Sequence, residues 1–472
     1  MNSSKKGRPD AGNSGRLRLL SETERDLIRL ANEPGFARWV EQIKSAGGCA
    51  HPVYLSGRTT TADAGGNLLR HYDTVSEPGG RLAVRCRNRR ETRCQPCSYT
   101  HSGDTFHLVR AGLLGGKEIP ESVTNNPRLF VTLTAPSFGP VHRATDKGGC
   151  RPRNNTGGIC EHGCPLDCGL AHAPDSPAVG QPLCGRCYDH TSHVLWHAHA
   201  GELWSRTTRA IRRHLATAGG LTQSRLPEHV RVSFAKVVEY QRRGAVHFHA
   251  VIRLDGPQGP GTVPPDWASA ALLTKTVRRA VKAVQASLRH VPALGDREFV
   301  WGSQIDVHAI RGPLGGPVTE QAVAAYIAKY VSKSAADAGG LDHPVTSPED
   351  ISLAPVSGHL RALMGTCWRL GGLPELHHLR LRPWTHTLGY RGHVLTKSRR
   401  YSTTYRALRD ARTAHNQTAE PPSAAEETET VSTWRYVGSG HTPGESEIAA
   451  GVAQDHAERR EIARESRRGG EC

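Results

Sequence analysis

A chain of 472 residues with 37% apolar content has room for roughly two to four domains and at least one sizeable core. Lys plus Arg outnumber Asp plus Glu 61 to 44, a net charge of +17, which suits a phosphate-rich partner without singling out nucleic acid. No apolar run approaches the roughly 18 residues of a membrane span, and the opening MNSSKKGRPD lacks a signal peptide's apolar stretch, so a cytoplasmic protein with no membrane attachment is expected and its twelve cysteines are read as metal ligands, not disulfides.

In chain order, Ser21-Glu22-Thr23-Glu24 has the form of a capping box opening a helix that carries Leu27, Ile28 and Leu30. Residues 50 to 85 read as short strands and turns. Nine cysteines lie between 86 and 190, interrupted by the strand Leu129 to Thr134. Cys94-x-x-Cys97 and Cys184-x-x-Cys187 have zinc-knuckle spacing, because two thiolates three apart can grip one tetrahedral ion across a tight turn. Cys86 stands ahead of the first pair, and Cys150, Cys160, Cys164 and Cys168 can supply a second set, with His162 and His172 as substitutes. One or two structural Zn²⁺ are expected, with the pairing left open and Cys49, Cys367 and Cys472 unassigned.

Two strands, Val230 to Tyr240 and Ala245 to Leu254, are joined by Gln241-Arg242-Arg243-Gly244, which reads as a hairpin. Leu273, Val277, Val281, Val284 and Leu288 then recur at helical spacing and predict an amphipathic helix over 267–290. Residues two apart on a strand share a face, so His247 and His249 form a two-point metal grip, and Glu239 across the hairpin can bring a carboxylate to the same ion. Two imidazoles and a carboxylate suit Mn²⁺ or Mg²⁺ with positions left open for phosphate oxygens. Read alone, His-x-His is also what a surface ladder looks like.

Thr319 is a candidate N-cap. After it, Tyr326, Lys329, Tyr330 and Lys333 share one polar helical stripe, beside an apolar stripe of Val323, Ile327 and Val331. A phenol is a poor nucleophile at its ordinary pKa near 10, but a polarised phosphate and a nearby ammonium make its attack feasible. The product would be a 5′-phosphotyrosine and a free 3′-OH. The tyrosines equally suit the rim of a core.

Taken together, Phe130-Val131-Thr132-Leu133-Thr134, His247-Phe248-His249 and Tyr326-Ile327-Ala328-Lys329-Tyr330 resemble motifs I, II and III of the HUH rolling-circle replication initiators. The tyrosine pair is similar to the two-tyrosine subclass. Three longer phrases, Leu133 to Gly139, Val237 to Gly244 and Lys397 to Thr403, resemble the RepSA-type initiators of actinomycete plasmids and integrative elements. The resemblance covers about residues 80 to 412. It implies an α+β fold, an antiparallel sheet flanked by helices (the HUH endonuclease palm), here with a cysteine-rich zinc-binding insertion between motifs I and II. It also implies a bacterial enzyme that nicks and joins single-stranded DNA at an origin. By this resemblance His247 and His249 ligate the catalytic ion, Glu239 is a candidate third ligand, Tyr326 is the leading nucleophile and Tyr330 the second, and Lys329 steadies phosphate or metal-bound water. Single- and double-stranded origin DNA and a host helicase are the expected partners.

The segment Thr396 to Arg412 mixes basic residues with Tyr401 and Tyr405, so Lys397, Arg399, Arg400 and Tyr401 join Arg242, Arg243 and Lys333 as candidate DNA contacts. A solvated basic loop fits it too, and its tyrosines form a second pair four apart. The expected layout is an N-terminal helical and strand segment (1–80), the cysteine-rich region with the motif I strand (81–190), the catalytic core (191–340), a basic DNA-contacting segment (341–412) and a polar, partly disordered tail (413–472) with a charged helical end near 445 to 468. Competing readings are a non-catalytic zinc-containing DNA-binding regulator, a conjugative relaxase with the same chemistry and a water-using metal phosphodiesterase.

Overall fold

Alternating side chains along adjacent strands decide the architecture around the site. The computed structural model describes residues 20–145, 149–150, 158–310, 319–333, 340–416 and 428–469. The chain forms two units, one from Ser102 to Ala414 and one from the segments before and after it. In the first, β1 (Arg128–Leu133), β2 (Arg231–Tyr240), β3 (Val246–Asp255), β4 (Ile305–Ala309) and β5 (Leu395–Lys397) make an antiparallel sheet in the order β5-β2-β3-β1-β4. The α+β class, with helices flanking an antiparallel sheet, is as expected.

Each face of this sheet has its own core. Leu129, Val131, Leu133, Phe248, Ala250 and Ile252 point to one side and belong to the larger core. Phe130, Ala235, Val237 and Val251 point to the other. That second face is covered by α1 (Gln95–Leu114) through Leu108, Val109 and Leu113, and by α4 (Glu320–Val331) through Val323, Ile327 and Val331. The larger core takes α2 (His190–Ala218), α3 (Ala270–Ala283) and α5 (Gly358–Leu370).

The helix expected over 267–290 is shorter. α3 ends at Ala283 because Val284 is extended (φ −96°, ψ 139°), and Ala286–Leu288 pairs with Arg297–Phe299. Val284 and Leu288 are still buried, so the apolar period continued while the backbone changed. Among the described residues no helix is long and apolar enough to cross a membrane.

In the other unit, the strand Val53–Asp63 pairs with Leu68–Asp73, Leu82–Val84 and Thr428–Ser439. The last strand was not expected, since its partner lies far back in the sequence. Trp39, Ile43, Tyr54, Ala449 and Val452 make a small core. The Ser21 capping box forms, with Ser21 Oγ accepting from the Glu24 N–H and Glu24 from the Ser21 N–H.

Candidate active site and metal clusters

The β2–β3 register sets Glu239 directly opposite His247 and Val237 opposite His249. The three polar groups therefore share the face that α4 covers. Thr319 caps α4 by accepting the Ala322 N–H at 3.2 Å. A buried ion pair, Arg128–Glu320 at 3.1 Å, fastens its first turn to β1. That seats Val323, Ile327 and Val331 on the sheet and turns Tyr326 and Tyr330 toward the histidines.

Tyr326 Oη lies 3.4 Å from both Glu239 Oε2 and His249 Nε2. Its ring is 5.0 Å from that of His249 and 4.6 Å from that of Tyr330. His249 Nε2 meets Glu239 Oε2 at 2.8 Å and Nδ1 meets Thr132 Oγ1 at 3.0 Å. Facing a carboxylate, Nε2 carries the proton, and Nδ1 then accepts from the Thr132 hydroxyl. A hydroxyl can also accept, so Thr132 can serve either tautomer. Thr132 was read only as part of a motif strand. Asp306, paired opposite Thr132 on β4, adds a second carboxylate to this face that sequence reasoning did not pick out.

Burial, with Arg243 and His249 nearby, pushes the His247 imidazole down to about 3, so its nitrogen lone pair is free at neutral pH. Burial also opposes ionisation of Glu239, but the His249 hydrogen bond and charge outweigh it and hold the carboxyl below its ordinary value. The Tyr326 phenol is pushed well up, first by burial and then by the Glu239 carboxylate and Tyr330. Tyr330 is raised for similar reasons. Lys329 is exposed, its Nζ 5.8 Å from the Tyr330 ring centre, and Lys333 Nζ is 5.4 Å from it. Glu239, His247 and Lys333 open on a groove of about 1000 Å³ that Arg242 and Arg243 also line.

The candidate DNA contacts divide. Arg242 is exposed, with a long 3.4 Å contact to the Asp175 carbonyl. Arg243 donates to the carbonyls of Pro136 and Ala135 at 3.1 and 3.3 Å; it braces the hairpin turn against the start of the cysteine-rich stretch. Arg399 and Arg400 are exposed, Arg400 reaching the Gln258 carbonyl at 3.0 Å. Lys397 is half-buried and donates to the Ser402 carbonyl at 2.9 Å. Tyr401 is a correction. Its ring is fully buried and its hydroxyl donates to the Val109 carbonyl at 3.2 Å, so it cannot stack on a base.

Two thiol clusters are closed in a way the His/Glu face is not. Cys49, Cys86, Cys94 and Cys97 place their sulfurs within 4.8 Å of one another, with Cys49 Sγ 3.6 Å from Cys97 Sγ. Cys49, unassigned from sequence, is the fourth donor. The Gly47-Gly48 pair before it, both at positive φ, makes the tight turn that could have signalled a ligand. Hydrogen bonding from Cys86 brings the Cys49 thiol down to about 7. The second cluster joins Cys160, His162, Cys184 and Cys187, with Cys164 beside Cys184. The Cys187 backbone N–H is the main cause of the fall of Cys184 to about 7. Either cluster could hold a tetrahedral Zn²⁺. Cys168 and buried Cys150 lie outside both, and Cys367 is buried against the Leu381 carbonyl. Cys472 lies outside the described residues.

Comparison with known proteins gives this α+β chain its class. The family model for the RepSA replication initiator protein of pSAM2 matches residues 35–454, and the chain belongs to that family of replication initiators. A replication initiator protein of Streptomyces ambofaciens is 46% identical over 455 residues, covering 93% of this chain and 95% of that protein. No solved structure matches.

Proposed function

We propose that this initiator starts rolling-circle replication by cutting one strand of its origin with Tyr326 and remaining joined to the 5′ end through a phosphotyrosine. The observation that carries the reading is the placement of Tyr326 Oη 3.4 Å from both Glu239 and His249 on the sheet face. The donor types suit a divalent ion with open positions: one neutral imidazole on the groove, a second imidazole whose far nitrogen is held by a hydroxyl, and an ionised carboxylate. The His247 ring centre stands 6.4 Å from that of His249, so binding an ion would draw His247 inward. A bound Mn²⁺ or Mg²⁺ would polarise the scissile phosphate and offset the charge that develops on it.

The phenol is held protonated at rest, so its proton leaves as the Oη–P bond forms and the 3′-oxygen departs. Glu239 Oε2 is the acceptor within reach, since His249 Nε2 carries its own proton. Tyr330, its ring against that of Tyr326, is the candidate for a second transfer. Arg242, Arg399 and Arg400 are exposed cations suited to phosphate contact. Incubation with a single-stranded origin oligonucleotide and Mn²⁺, followed by denaturing electrophoresis and peptide mapping, tests the reading. A covalent adduct on Tyr326 is expected. No adduct with tight DNA binding would favour a non-catalytic regulator instead.

A further inference from the structure

A third donor group in the cysteine-rich stretch is separate from the two clusters above. His142, Cys168 and His172 each bring one ligand atom within 4.8 Å of the others. His142 Nδ1 stands 3.1 Å from His172 Nε2, and Cys168 Sγ stands 3.4 Å from the same nitrogen. Cys150 is completely buried beside them, its sulfur accepting the Arg143 backbone N–H at 2.9 Å. The backbone sets this arrangement: Cys150 N–H donates to Leu170, Cys168 N–H to Cys150 and Thr145 N–H to His172, all at 3.0 Å.

A hydrogen-bonded histidine pair beside a thiol is the alternative, and two features weigh against it. First, among the described residues from 134 to 189, only Ala135, Phe138 and Tyr188 join the buried core, with Val141 partly buried against it. So long a segment with so little core needs cross-links of another kind to hold its shape. Second, two imidazoles and a thiol are gathered within 4.8 Å, and buried Cys150, whose carbonyl accepts from the Cys168 N–H, would complete the Cys₂His₂ composition of closed zinc sites.

We propose that His142, Cys150, Cys168 and His172 hold a third structural metal ion, Zn²⁺ by the chemistry of the set. His142 and Arg143 line the same groove as Glu239 and His247. The ion therefore fixes one wall of that groove. It is a structural site that would stand whether or not Tyr326 is a nucleophile.

Zinc content of the purified full-length chain, measured by inductively coupled plasma mass spectrometry, tests the assignment. The expected count is three per chain. His142→Ala should lower it by one, Cys97→Ser should lower it by a different one, and the two together should lower it by two. Cys168→Ser is the second variant should His142→Ala fail to fold. A wild-type count of two or fewer, or an unchanged count in folded His142→Ala or Cys168→Ser protein, overturns the proposal. Loss of nicking alone decides nothing here, because the readout is bound metal.

Discussion

Tyr326 and Tyr330 on α4, and Tyr401 in the turn before the helix Tyr405–Asn416 with Tyr405 at that helix's start, share one i, i+4 spacing and lie against the same face of the same sheet. Their surroundings differ. The first pair is half-buried over His249 and Glu239, with lysines at its outer edge. The second is locked into the packing. Tyr401 fits against Gly112, where any β-carbon would meet its ring at 2.3 Å, and Tyr405 Oη meets Thr105 Oγ1 at 2.7 Å. The same spacing occurs on a helix in the first pair and across a turn in the second, so spacing alone does not say what surrounds a phenol.

The sharpest way to break this comparison is to remove each hydroxyl in turn. Tyr326→Phe should lower adduct formation by at least about a thousand-fold, with the folded structure and DNA binding kept, since its contacts at 3.4 Å are long. Tyr401→Phe should leave adduct formation in the folded fraction unchanged. A mapped adduct on Tyr401 or Tyr405 would overturn the site.

Next in size is the loss of the metal grip. His247→Ala with His249→Ala should abolish nicking while gel-shift affinity for origin DNA stays within a few-fold, because the proposed phosphate contacts are the exposed cations Arg242, Arg399 and Arg400 and not the imidazoles. Full nicking by the double variant would remove the ion from the mechanism. For the structural pair the matching loss is one of stability. Tyr401→Ala should cost about 3–5 kcal/mol in denaturant unfolding, as expected for emptying a fully buried aromatic site, whereas Tyr401→Phe removes only the hydrogen bond to the Val109 carbonyl and should cost about 1 kcal/mol.

What could be read in the sequence follows from which rules are local. A period of two put His247, His249 and Glu239 on one face, and a period near 3.6 put Tyr326 and Tyr330 on one helical stripe. Both depend on neighbours in sequence, as does the Thr319 cap. The burial of Tyr401 depends on a gap at Gly112, and Cys49 joins Cys94 and Cys97 only through folding of the intervening strands, so neither has a local signature. The strand Thr428–Ser439 finds its partner at Val53–Asp63 for the same non-local reason. The end of α3 at Ala283 escaped because Val284 and Leu288 stay buried in a different backbone.

The smallest expected effects come from the second tyrosine of each pair, and they make the closest match. Tyr330→Phe and Tyr405→Phe each delete one hydroxyl at the same spacing from their partner. Tyr405→Phe loses the hydrogen bond to Thr105, worth about 1 kcal/mol, and should leave every step of nicking and joining at the wild-type rate. Tyr330→Phe should be nearly silent in stability and in the first adduct, because the ring still packs at 4.6 Å on Tyr326. Its effect should fall on the second strand transfer. The measurement is a two-oligonucleotide assay that follows the first adduct and then its passage to a fresh origin strand. Wild-type transfer by Tyr330→Phe would reduce that tyrosine to a packing partner and make Tyr326 the sole nucleophile. A first adduct that forms on Tyr330 in the wild-type chain would instead reverse the two roles.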